Sequence, residues 1–130
     1  MTNEMIRVGI IEDDKNVVKL LKTILEHMGN IEVVFEAFDT ATAEEKVENV
    51  ENFGADVIFL DGNLHARDDS GNDGRKLLAQ IRAQRPETKV VWTSTSDHGT
   101  EVKEPEAVLK KGEMLVGTVM KTVRELFKGK

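Results

Sequence analysis

The sequence predicts an α/β protein: a doubly wound, five-stranded parallel sheet with helices on both faces. Three observations carry this. Short apolar runs rich in Val, Ile and Phe fall at 5–11, 31–38, 55–61, 89–93 and 107–109 and show little polar alternation, as strands covered on both faces do. Between most of them lie segments whose apolar residues recur at helical spacing. The alternation of the two implies βαβ units, whose right-handed crossovers leave few topologies.

The first strand, 5–11, empties into Glu12, Asp13 and Asp14. A helix follows over 15–27, with Val17, Leu21, Ile24 and Met28 at helical spacing, Asp14 as its N-cap and Gly29 as its terminator. After the second strand, residues 40–52 form a helix with Ala43, Val47 and Val50 inward and Glu44, Glu45, Glu48 and Glu51 on a solvated face. The third strand ends at Asp61, and a polar, glycine-rich loop runs to Asp73. Residues 74–84 are helical, with Leu77, Leu78 and Ile81 inward and Pro86 as the stop. The fourth strand carries Trp92 as a packed residue and leads into Ser94, Thr95 and Ser96; the short fifth leads into Lys110 and Lys111. A last helix, about 113–127, presents Val116, Val119, Met120, Val123 and Phe127 on one stripe.

With 130 residues and no repeat, linker or low-complexity tract, residues 1–130 are expected to form one domain. A net charge of −6 argues against a general affinity for nucleic acid. The absence of cysteine removes disulfides, thiolate catalysis and Cys-ligated metals. No apolar run approaches a membrane span and no secretion signal opens the sequence, so membrane insertion is not expected and a cytoplasmic location is.

The chemistry is expected where strands end, because open α/β sheets place it at their carboxyl edge. Asp61 closes the most continuous of the apolar strands; Glu12 and Asp13, Ser94 and a lysine of the fifth strand close others. Carboxylates crowded together repel, and a cation relieves them. Oxygen-only ligands select a hard ion, Mg2+ or Mn2+, with Glu12, Asp13, Asp61 and the backbone carbonyl of Asn63 as its ligands. An aspartate beside such an ion suits phosphoryl transfer, since carboxylates attack phosphorus to form acyl phosphates. Ser94 and Lys111 would then contact two of the phosphoryl oxygens.

Five motifs in order, Ile10-Ile11-Glu12-Asp13-Asp14, Val57 to Asp61, Asn72-Asp73-Gly74, Val90 to Ser94 and Val108-Leu109-Lys110-Lys111, resemble the receiver domain of two-component response regulators over essentially the whole chain. The resemblance implies a flavodoxin-like sheet of strand order 2-1-3-4-5. It implies that Asp61 accepts a phosphoryl group from a histidine kinase or histidine phosphotransfer protein, that Glu12 and Asp13 bind magnesium, that Ser94 is the switch hydroxyl, and that Lys111, or else Lys110, contacts the phosphate. A receiver is a signalling domain that assists its own phosphorylation and dephosphorylation, not an enzyme acting on other substrates. With no appended output domain in the chain, it is expected to act on a downstream protein target and not to bind DNA directly.

The chain departs from the family in three places. The loop before Asp73 is about five residues long in excess, at 65–71, a change that loop-closure entropy tolerates. The segment between Ser94 and Lys111 is about five residues short, roughly one and a half helical turns, so the fourth helix of the family is expected to be short or missing. Val108 stands where the family carries a switch aromatic, and Thr95 where it carries a small residue. A pseudo-receiver that only binds partners is the alternative that keeps the fold. A haloacid-dehalogenase-type phosphatase fits less well, because Phe59 or Asn63 falls where that family needs a second aspartate. A calcium loop starting at Asp69 fails on spacing, with Gln80 at the closing position.

Overall fold

A strand with apolar residues on both faces can bury both, and five strands largely of this kind side by side require a helical layer above and below. The computed structural model of the chain describes residues 5–61, 72–94, 105–110 and 116–127, apart from the side chains of residues 72, 73, 94 and 116. Within it the elements run β1 (Ile6–Ile11), α1 (Lys15–His27), β2 (Ile31–Ala37), α2 (Thr40–Glu48), α3 (Val50–Phe53), β3 (Val57–Asp61), α4 (Asn72–Gln84), β4 (Lys89–Ser94), β5 (Ala107–Lys110) and α5 (Val116–Leu126). The sheet is entirely parallel, in the order β2-β1-β3-β4-β5. The predicted fold class and strand order are those observed. The expected shortening of a helix between β4 and β5 concerns 95–104, outside the described residues. No helix among the described residues is long and apolar enough to cross a membrane.

Alternate residues of each strand feed two separate cores. Val8, Ile10, Val57, Phe59, Val91 and Leu109 meet Val18, Leu21, Ile24 and Leu25 of α1 and Val119 and Val123 of α5. Ile11, Ile58, Leu60, Val90 and Trp92 meet Ala43 and Val47 of α2, Val50 of α3 and Leu77, Leu78 and Ile81 of α4. In α1 the buried stripe is turned slightly from the expected one: Val18 and Leu25 are fully buried, while Val17 and Met28 pack at its margin. The expected helix over 40–52 is two helices, meeting at Asn49 and closed by Gly54, whose φ of 63° suits a residue without a Cβ.

β2 holds an irregularity that hydrophobic patterning hides. Val8 pairs with Val33 but Gly9 pairs with Phe35, so Val34 is an extra residue in β2. Because side-chain direction alternates along a strand, one added residue exchanges the faces. Ile31 and Val33 therefore enter the α1/α5 core, whereas Phe35 and Ala37 enter the α2–α4 core. There the Phe35 ring covers Gly9 and meets Phe53 at a centroid distance of 5.1 Å.

The opposite end of the sheet is tied by side chains. Glu106, just ahead of β5, donates its backbone N–H to Val90 O (3.0 Å) and accepts the Val90 N–H on Oε1 (2.8 Å). Arg82 of α4 donates to that same Oε1 (2.7 Å) and to Thr88 O (2.8 Å), and the Thr88 hydroxyl donates to Ala55 O (2.8 Å). Burial pushes the Glu106 carboxyl up, but the bonds from Arg82 and Val90 more than offset it and hold the group below its ordinary value of 4.5.

Two outcomes follow. A Cβ built on Gly9 would lie 2.2 Å from Phe35 Cζ, so Gly9→Ala should lose about 1–3 kcal/mol in urea unfolding, with part recovered when Phe35 is shortened to Leu. A carboxyl whose folded pKa is depressed stabilises fully above its unfolded value and loses that contribution as pH falls through the folded one. Acid unfolding followed from about pH 6 to well below 4.5 should therefore show a shallower stability loss in Glu106→Gln than in the native chain, with the difference developing below 4.5.

Candidate functional site

β1 and β3 are hydrogen-bonded neighbours, and their last paired residues are Ile11 and Leu60. One step further along each strand stand Glu12 and Asp61. Both follow residues of the α1/α5 face (Ile10 and Phe59), so their side chains leave the sheet on the same side. Glu12 is 1% exposed and Asp61 0%. Full burial of two acids at one edge is unusual for these residue types, which are almost never fully buried unless paired.

The turn after β1 directs these groups inward. The Glu12 N–H is held by Ala37 O of β2 (2.9 Å), which extends the β1–β2 ladder to the site. The Asp14 N–H donates to Glu12 Oε2 (3.0 Å), drawing that carboxylate back over its own turn. Asp14 itself caps α1 as expected, Oδ1 accepting from the Asn16 N–H (2.9 Å). Asp13, between them, is more open than Glu12 or Asp61.

Glu12, Asp13 and Asp61 each offer a carboxylate oxygen, and these oxygens lie within 4.8 Å of one another. Unit charges at such spacing repel by on the order of 3–4 kcal/mol per pair at an effective dielectric near 20. The donor set consists of hard anionic oxygens without nitrogen or sulfur, and fits a hard divalent ion that keeps some of its waters. Three of the acids singled out in the sequence are thus brought together from two strands.

Ser94 closes β4, with its backbone opposite Lys110 of β5. Its side chain, like Asn63 and Lys111, lies outside the described residues, as does the whole of 62–71 with the insertion. The residue paired directly with Asp61 is Thr93. This buried hydroxyl was not singled out by sequence reasoning, and it is turned to Leu60 O (3.5 Å), within the sheet. Trp92 is a packed strand residue, 2% exposed, as expected. The Glu106–Arg82 tie had no sequence signal: its partners lie 24 positions apart and belong to no motif.

Comparison with known proteins agrees with this geometry. Residues 8–125 match the family profile described as "Response regulator receiver domain". A protein-glutamate methylesterase/protein-glutamine glutaminase of Bradyrhizobium diazoefficiens is 32% identical over 102 residues, 78% of this chain and 26% of the relative. The chain thus spans about a quarter of the length of the curated relatives it matches. Among solved structures, the signal receiver domain of NarL from Mycobacterium tuberculosis superposes with a TM-score of 0.77 at 25% identity, covering 98% of this chain and 99% of that one. The isolated REC domain of RcsB from Salmonella enterica serovar Typhimurium, solved with phosphomimetic BeF3-, gives 0.79 at 20% identity, covering 98% and 91%, a likeness of fold.

The helix cap beside this turn can be tested apart from any chemistry. Asp14→Ala removes the α1 cap and should lower unfolding stability by about 1 kcal/mol in denaturant melts, whereas Asp14→Asn, which keeps an acceptor, should lose a few tenths at most.

Proposed function

The chain belongs to the response regulator receiver family, and on that footing we propose that Asp61 is its phosphoacceptor, taking a phosphoryl group from the phosphohistidine of a histidine kinase or histidine phosphotransfer protein. The observation that carries this reading is the meeting of Glu12, Asp13 and Asp61 within 4.8 Å at the carboxyl edge of the sheet, two of them buried. Receivers are signalling domains of two-component systems, and they bind Mg2+ through acidic residues. Here Glu12 and Asp13 would hold Mg2+ or Mn2+ together with Asp61 and the Asn63 carbonyl. When bound, the ion supplies positive charge that neutralises the attacking carboxylate and a phosphoryl oxygen.

An Asp61 oxygen attacks phosphorus in line with the bond to the donor imidazole nitrogen; that bond breaks, its electron pair stays on the imidazole, and the product is an aspartyl phosphate. The Ser94 hydroxyl donates to one phosphoryl oxygen and the Lys111 ammonium pairs with another. β1 and β3 hold the acids at fixed separation, so little reorganisation accompanies the transfer. The phosphorylated side chain carries roughly two negative charges where the free carboxylate carried one, and adds new acceptor oxygens at a buried position. That shifts the balance between two conformations of the domain and so its contacts with a downstream protein target. Residues 1–130 would act in this as a single receiver domain.

Incubation with Mg2+ and acetyl phosphate or phosphoramidate, followed by intact mass measurement, tests the reading. A single phosphoryl adduct is expected, absent in Asp61→Asn and abolished by EDTA. Mg2+ at about 100 times its Kd should stabilise the native chain by about 2.7 kcal/mol, and Asp13→Asn should raise that Kd at least tenfold or so. Absence of an adduct at every donor concentration would overturn the proposal.

A further inference from the structure

The proposed chemistry uses one ammonium beside the phosphoryl oxygens, yet the sequence ends β5 with two lysines in succession, Lys110 and Lys111. Successive residues of a strand face opposite sides of the sheet. A slip of β5 by a single position would therefore exchange the two. β5 is short, spanning Ala107–Lys110, stands at the edge of the sheet, and among the described strands pairs with β4 alone, so the packing of Val108 and Leu109 is the one restraint it brings itself.

The register is held from the other end. Glu106 grips Val90 twice, donating its own N–H to Val90 O and accepting the Val90 N–H on Oε1. The same Oε1 is clasped by Arg82 Nη2 at 2.7 Å, while Nη1 of Arg82 is anchored on Thr88 O. A one-residue slip would break the three bonds of Glu106 together, two of them to an ionised carboxylate. In the register so fixed, Val91, Trp92, Thr93 and Ser94 pair with Ala107, Val108, Leu109 and Lys110. Val108 packs with the α2–α4 core that contains Trp92, and Leu109 with the α1/α5 core. Lys110 therefore has the parity of Val108, opposite to that of Val57, Phe59 and Asp61 on β3.

We propose that Glu106, clasped by Arg82, is a positioning residue: it fixes the register of β5 so that Lys110 is turned from the phosphoacceptor and the phosphate contact is reserved for Lys111. This rests on the phosphoacceptor reading above.

The test measures rates of phosphoryl adduct formation with phosphoramidate and Mg2+ for Lys110→Met and Lys111→Met, each in the native and in the Glu106→Ala background. In the native background Lys111→Met should slow the reaction about tenfold or more and Lys110→Met far less, as expected when one charged contact to the phosphoryl group is removed. In the Glu106→Ala background the two penalties should converge, with Lys110→Met becoming harmful. Glu106→Gln, whose amide oxygen still accepts from Val90 and Arg82, should restore the native pattern, which a mere loss of stability would not do. Amide exchange at Val90 should quicken in Glu106→Ala only. Should Glu106→Ala not fold, Arg82→Gln should give the same convergence in smaller measure. Unchanged, unequal penalties in a folded Glu106 or Arg82 variant would overturn the positioning role while leaving Asp61 as acceptor. Adduct formation indifferent to both lysines in the native background would overturn both the lysine contact and the purpose given to the tie.

Discussion

Two adjacent parallel strands ending level with one another set the terms for everything else in this molecule. Pairing of Ile11 with Leu60 brings Glu12 beside Asp61, and neither acid can retreat without breaking a ladder that is buried on both faces. Left to themselves, three such groups would move apart. They are kept together because the strands that carry them are committed to two apolar cores, whose combined burial far outweighs the mutual repulsion of a few charges. The clustering of these like charges is an unfavourable arrangement imposed by a favourable one.

The two rims of the sheet divide the labour. At the carboxyl rim stand the acids, exposed to change of charge. At the amino rim, the tie from α4 through Arg82 to Glu106 and Val90, and the Thr88 hydroxyl on Ala55 O, join α4 and the starts of β3, β4 and β5 into one piece. Strands are stiff along their length, so alignment established at one rim is delivered at the other. A domain built this way can tolerate length variation in the loops of the chemical rim.

Much of this was legible in the sequence, for identifiable reasons. Asp61 stood out because an unbroken apolar strand ending in an acid is a strong local pattern, and the acids after β1 did so for the same reason. The inward faces of α2, α3 and α4 followed from period alone. The extra residue at Val34 was not legible, since in a run where Val33, Val34 and Phe35 are all apolar, nothing marks which of them is surplus. The division at Asn49 was equally hidden, as both helices there carry apolar residues at compatible spacing. Gly9 shows its purpose only once the Phe35 ring is placed above it, and the Glu106–Arg82 tie only once the elements that bring them together are packed. The placements expected for Asn63, Lys111 and the 95–104 segment concern residues outside those described.

The surplus residue in β2 has one further bearing. β2 is an outermost strand, and an outermost strand left flat invites a foreign chain to continue the sheet. Here the strand's regular run is interrupted midway at Val34, and the flanking Glu32 and Glu36 are charged, paired with Arg7 of β1 and Lys22 of α1. A border so interrupted is a poor template for strand addition. The device that seats Phe35 over Gly9 thus also guards this side of the protein against aggregation, a safeguard that matters in a domain made of hydrophobic strands.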